Sequence, residues 1–219
     1  MFFLNKNIRA VIFDLDNTLY NENMYIAEVL HIFSKKYGLD FNKNDFIDNE
    51  NLREKSNDIF SFWLHNINFY SKQKQEELFA LYQNISFNMP LYEDARELLV
   101  FLKRQRVKIA ILTNGVVSVQ ENKIKCIKEL KKYKPRIFYA RSLGKDYEKP
   151  HEKSFKMVLD SLNEDIENVI FIGDNLLTDI VGAERVGIKA IWVNKNDSKN
   201  IANVEFAVTN LREVLVKCW

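Results

Sequence analysis

The chain lacks several features that mark whole classes of protein. Its only cysteines, Cys126 and Cys218, have no metal-ligand spacing, and the expectation is two reduced thiols in a cytoplasmic protein. It has no excess charge of either sign: 32 Lys plus Arg stand against 30 Asp plus Glu. That balance gives no electrostatic footprint for nucleic acid or an anionic membrane. No apolar run approaches the ~18 residues a bilayer-spanning helix needs. The opening Met1-Phe-Phe-Leu-Asn-Lys is too short an apolar patch for a secretory signal. Internal repeats and low-complexity tracts are missing. From Tyr20 to Phe87 there is one glycine, Gly38, and no proline.

What remains is 219 residues, 47% of them apolar, enough for one large core or a core with an insertion. The chain is organised around Ala10-Val-Ile-Phe-Asp-Leu-Asp-Asn-Thr-Leu19. Ala10 to Phe13 reads as a strand buried on both faces, as in a parallel sheet. It stops at Asp14 and Asp16, whose side chains point the same way along an extended chain. Two acids that close repel, and a hard, oxygen-seeking cation such as Mg2+ between them relieves the repulsion. The plainer alternative is a turn or helix cap built from Asp, Asn and Thr.

The proline-free segment has apolar residues at spacings of three and four, as in Ile26, Val29, Leu30, Phe33 and Tyr37. Further helices are predicted near 45–55, 59–66 and 72–83. Their aromatic residues, Phe79 and Tyr82 among them, predict the core of a small helical bundle, the sharper alternative being that one or two of them line a substrate pocket. After Met89-Pro90 the pattern changes to alternating helix and strand: helix 91–105, strand 107–112, helix 116–132, strand 136–140, helix 151–162 and strand 169–172. A helix to about 186, strand 190–193, an edge strand near 205–208 and a last helix near 211–217 complete it. Such alternation predicts an α/β fold, a doubly wound and mostly parallel sheet, with a helical cap inserted after the first strand. The boundaries are 1–20 and 89–219 for the core and 21–88 for the cap.

Ligands of open α/β sheets bind beyond the carboxyl ends of the strands. Those positions carry Asp14 and Asp16, then Thr113 and Asn114, then Lys149 in the loop after the third strand, and then Asp174 with Asp179. Converging acids point to a bound metal, and a lysine and backbone N–H groups beside it to a phosphate site. Singly, each has a bland reading. Thr113-Asn114-Gly115 could be an ordinary turn, Lys149 a loop lysine, and Asp174-Asn175 a helix cap. Gln120, and the lysines from Lys123 to Lys134, read as the solvated face of a helix.

The pieces Phe13-Asp-Leu-Asp-Asn-Thr-Leu19, Leu112-Thr-Asn-Gly115, Glu148-Lys-Pro150 and Gly173-Asp-Asn-Leu-Leu-Thr-Asp179 resemble the haloacid dehalogenase-like superfamily of phosphohydrolases, in the subgroup with a helical cap after the first strand. The tail Ile180 to Asn194 is similar too. The resemblance implies that Asp14 is the nucleophile, forming an aspartyl-phosphate, and that Asp16 is the acid and then the base. Mg2+ would be held by Asp14, the main-chain carbonyl of Asp16, and Asp174. Thr113 and Asn114 would bind phosphate oxygens, and Lys149 would offset their charge. Asp179, with Asn175, would stand behind them, Asp179 orienting Lys149 or a metal-bound water. Dehalogenating members lack the second acid, so Asp16 and Asp174 favour phosphate chemistry. Thr113-Asn-Gly115 followed by Gln120 and Lys123 is similar to members acting on nucleoside monophosphates and acylneuraminate 9-phosphates. The implied partner is a small phosphate monoester, with neither nucleic acid nor membrane. Asn21, Glu22, Asn23, Tyr25, Arg141 and Tyr147 are the candidate selectors of its leaving group. A phosphomutase of the same superfamily and a non-catalytic phosphoacceptor or binding module stay open as alternatives.

Overall fold

A computed structural model describes residues 8–49, 52–195 and 206–218. β1 (Ala10–Phe13) lies inside a six-stranded sheet with β2 (Lys108–Thr113), β3 (Arg136–Tyr139), β4 (Val169–Gly173), β5 (Lys189–Val193) and β6 (Ala207–Val208). The order is β3-β2-β1-β4-β5-β6, with every pairing parallel. β1 is thus flanked on both edges, which explains why its four residues are all apolar and all buried. Side-chain alternation then divides the strands between two cores. Ala10, Ile12, Ala110, Leu112 and Phe171 face α8 (Glu152–Leu162), through Phe155, Val158 and Leu162. Val11, Phe13, Ile109, Ile111 and Ile172 face α6 (Glu93–Arg104), through Leu98, Leu99 and Leu102.

Between β1 and α6 the described residues of the insertion form five helices: α1 (Glu22–Tyr37), α2 (Lys43–Asn49), α3 (Leu52–Lys55), α4 (Ile59–Asn66) and α5 (Lys72–Asn84). Their aromatic residues form a packed core, as predicted. Phe33 lies edge-on to Trp63 and Phe69, and Tyr25 and Tyr82 stand at 78° to one another. This core runs on without a break into the α6 face of the sheet. Asn21 caps α1 by accepting the N–H of Asn23, and Gly38 ends it in the left-handed region at φ 64°, where a residue without Cβ is favoured.

Two helices differ from their sequence patterns. The one predicted over 116–132 stops as α7 (Val117–Cys126) and resumes as a 3-10 turn at Lys128–Tyr133. At the break the Cys126 carbonyl accepts the N–H of Met89, where the insertion returns to the sheet. The helix after β4 opens with one wide π turn, Leu176–Ile180, before α9 (Val181–Arg185). Such turns recur at functional sites. The last helix, α10 (Arg212–Cys218), packs on α6. Its neighbour Leu211 donates its N–H to the buried Asp94, which also holds Lys195. Part of the predicted strand near 205–208, residue 205, lies outside the described residues, as does Met1 to Asn7. Among the described residues no helix is long and apolar enough to cross a membrane.

Candidate active site

The sheet's register fixes the site. Phe13 pairs with Ile111 on one side and Ile172 on the other. The next residue, Asp14, therefore lies level with Leu112 and Gly173, and its N–H reaches the Ile172 carbonyl at 2.9 Å. One step beyond that level come Thr113 and Asp174. Asp14 continues the parity of Ala10 and Ile12, toward the sheet face that α8 covers. The loop leading into α8 supplies Lys149, at the cis Lys149-Pro150 bond. Its ammonium lies 2.5 Å from Asp14 Oδ1 and 2.7 Å from Asp179 Oδ1. Carboxylate oxygens of Asp14, Asp174 and Asp179 all fall within 4.8 Å of one another.

Three backbone devices hold these groups. The Asn114 side chain clamps the lysine loop, accepting the Lys149 N–H at 2.8 Å and donating to the Lys149 carbonyl at 3.0 Å. The Asn175 side chain caps the π turn by accepting from Leu177 and Thr178, while its backbone N–H bonds Asp179 Oδ2 at 3.1 Å. Gly173 lets Asp179 come close: a Cβ there would stand 2.3 Å from Asp179 Oδ2. Asp174 is fixed by its carbonyl, which accepts from the Trp192 indole, and by a long contact from Thr18 Oγ1 at 3.4 Å.

Burial pushes the Asp14 carboxyl up to about 7; Lys149 pulls against it, and Asp179 and Asp16 add to it. Burial, then Asp14 and Asp179, hold Asp174 well above the carboxylate range. Burial would lower Lys149, but Asp14 and Asp179 overcome it and hold the ammonium charged. With all three carboxyl groups ionised against one ammonium, two negative charges would stand unbalanced in a buried space, and the raised Asp14 and Asp174 report that cost. The donors are all hard oxygens, so a divalent cation such as Mg2+ fits the set.

Asp16 has different neighbours. Lys123 lies 2.7 Å from its Oδ1, Gln120 donates to its Oδ2 at 2.8 Å, and Tyr20 donates to it through a short hydrogen bond. The solvated-face reading of Gln120 and Lys123 is therefore wrong. Both are buried, Gln120 at 2% and Lys123 at 1% exposure, because α7 turns that face onto the end of β1. Lys123 also lies 2.8 Å from Glu22, which Arg53 and Tyr82 bond from the insertion. Burial would raise Glu22, but Lys123 and Arg53 outweigh it and hold it far below the usual carboxylate range.

A cleft of about 630 Å³ joins these groups. Of the candidate selectors only Glu22 and Arg141 line it; Arg141 is held by a two-pronged bond to Glu148. Asn21 is a helix cap, and Tyr25 is fully buried with its hydroxyl on the Tyr82 carbonyl. Tyr147 packs edge-on against His151, outside the lining. Arg53, Asn57, Phe79 and Tyr82 line the wall that the insertion contributes. Sequence reasoning missed Arg53 and Asn57, since nothing local links them to a strand end more than thirty residues away; Phe79 and Tyr82 are the two of the insertion's aromatic residues that reach the cleft.

A family model described as haloacid dehalogenase-like hydrolase matches residues 11–193. Glyceraldehyde 3-phosphate phosphatase of Pyrococcus furiosus is 28% identical over 203 residues, covering 85% of this chain and 81% of that protein. Human N-acylneuraminate-9-phosphatase is 28% identical over 216 residues, covering 87% and 84%. Among solved structures, the magnesium-bound HAD-hydrolase YfnB of Bacillus subtilis superposes with a TM-score of 0.71 at 22% identity, over 97% of this chain and 99% of that one.

Proposed function

The chain belongs to the haloacid dehalogenase-like hydrolase family, and we propose that it is a Mg2+-dependent phosphatase that hydrolyses a small phosphate monoester through an aspartyl-phosphate on Asp14. One observation carries this reading: a buried carboxylate at a strand end, 2.5 Å from a lysine and grouped with Asp174 and Asp179, with a second acid two residues on. A nucleophile needs its charge offset until it attacks, and phosphoryl transfer asks mainly for positioning and neutralisation.

In this reading a carboxylate oxygen of Asp14 bonds to phosphorus and the ester P–O bond breaks. Asp16 gives the departing oxygen a proton. A water then attacks the same phosphorus, Asp16 takes its proton, and the bond to Asp14 breaks, releasing phosphate. Lys149 offsets charge on Asp14 and on the phosphoryl oxygens, and Asp179 keeps the lysine in place. The Thr113 hydroxyl and the Asn114 N–H bind phosphate oxygens, while the Asn114 side chain and Asn175 hold the loops that present them. Asp14, Asp174 and the Asp16 carbonyl would hold Mg2+, which when bound neutralises charge on the transferring group. Residues 21–88 are the proposed cap over a core of 1–20 and 89–219, its wall meeting the leaving group. The named activities of the two relatives support a phosphorylated sugar or sugar-acid class.

The test is phosphate release from a panel of monoesters with Mg2+ and with chelator. Expected are Mg2+-dependent release by the natural chain, none by Asp14→Asn, and phosphate trapped on Asp14 by acid quench and released by hydroxylamine. Release that survives chelation, or turnover by Asp14→Asn at the natural rate, would overturn the reading.

A further inference from the structure

The acid two residues beyond the nucleophile is held by more than its role as a solvated carboxyl would require. Each of its oxygens has its own donor on α7, Lys123 for Oδ1 and Gln120 for Oδ2. The same Gln120 nitrogen lies 2.6 Å from Thr113 Oγ1 and 2.6 Å from the Asn114 carbonyl. It thereby ties the acid to the loop that ends β2. Lys123 reaches Glu22, the first residue of α1, and Glu22 is gripped by the Arg53 guanidinium from α3 and the Tyr82 hydroxyl from α5. With Asp16 ionised, as it must be to take a proton from water, Lys123, Arg53, Asp16 and Glu22 balance to zero charge. Stability gives little reason for this: a buried ion network is often no better than apolar residues of equal volume. Orientation does give one, because two donors on two oxygens fix the plane of a carboxyl group as one donor cannot.

We propose that Lys123 and Gln120 are positioning residues that aim the Asp16 carboxyl at the leaving oxygen and then at the attacking water. Glu22 and Arg53 tie that aim to the inserted helices. The inference rests on the phosphatase reading above. It places the determinant of acid catalysis on α7 and the insertion, outside the strand ends that carry the phosphoryl group.

The test uses the Mg2+-loaded full chain with Lys123→Met and Gln120→Met, each alone and combined with Asp16→Asn. An alkyl phosphate, which needs a proton on its leaving oxygen, is compared with p-nitrophenyl phosphate, which does not. Expected is a kcat/KM on the alkyl ester lowered by roughly tenfold or more beyond any loss on the aryl ester, a part of the ~10²–10⁴ that general acid–base catalysis supplies. KM on the alkyl ester should hold, while on the aryl ester more of the enzyme should carry phosphate and KM should fall with kcat, because the water step slows. In the Asp16→Asn background either change should cost less than about twofold, the non-additivity of groups that act through one another. Equal losses of kcat/KM on both esters, or losses that add in full to Asp16→Asn, would overturn the proposal. If Lys123→Met does not fold, Gln120→Met decides by the same criteria. A natural chain that releases no phosphate from any ester instead overturns the phosphatase reading on which this one rests.

Discussion

Replacing Asp14, the proposed nucleophile, should make the metal-free protein more stable while destroying its activity. Asp14 is 7% exposed and lies among Asp174, Asp179 and Asp16. Its carboxyl is pushed from an ordinary value of 3.8 up to about 7, by burial first. Between those values the folded chain holds a proton that the unfolded chain has lost. Stability of the metal-free protein must then fall as pH rises through this window. At about 1.4 kcal/mol per pH unit, the full effect above pH 7 approaches a ceiling of about 4 kcal/mol. Asn at position 14 resembles the protonated acid in shape and charge and has no such slope. Asp14→Asn and the natural chain should therefore melt alike near pH 4, with the variant gaining steadily to pH 7.5, by about 2–4 kcal/mol in denaturant titrations. Added Mg2+ should close the gap, since it stabilises the carboxylate form and favours the natural chain more. The assay is urea unfolding in chelator and in Mg2+ at several pH values. A variant that is the less stable of the two without metal, or a gap that does not change with pH, would refute the electrostatic account of the site.

Other outcomes follow from single contacts. Gly173→Ala puts a Cβ 2.3 Å from Asp179 Oδ2, so Asp179 must move away from Lys149; phosphate release should drop by ~10²-fold with little change in far-ultraviolet circular dichroism, a geometric loss of the kind small misplacements cause. Asn114→Ala removes both bonds that clamp the Lys149 backbone and should cost about 2 kcal/mol in unfolding experiments, at about 1 kcal/mol per bond. Asp94→Ala strips Lys195 and the Leu211 N–H of their acceptor, outside the cleft lining. It should cost about 2–3 kcal/mol while kcat on any accepted ester stays unchanged; a lowered kcat with an unchanged melting point would contradict that division. Asp16→Asn should slow alkyl phosphates more than p-nitrophenyl phosphate, and equal losses would remove its role as the acid.

The strand ends were legible because their physics is local. A run such as Ala10 to Phe13 buries only between two other strands, and acids at its end are unusual enough to mean something. Position along the chain also placed Thr113, Lys149 and Asp174 at the same edge, since in a parallel sheet the carboxyl ends lie together. The helix boundaries were blurred where a tertiary bond decided them, as at Cys126, whose carbonyl is taken by Met89.

The fold class and the edge where Asp14, Lys149 and Asp174 meet thus came from the residues themselves, through alternation and the parallel register. Folding alone decided that Lys123 and Gln120 lie inside the molecule, that Glu22 meets Arg53 across 31 positions, and that Asn114 grips the lysine loop from 35 away. A helix face reads as solvated whenever its residues are polar, and only the neighbour brought against it reveals whether those charges meet water or one another. For α7 that neighbour is the end of β1, delivered by a sheet register that no local pattern in α7 encodes.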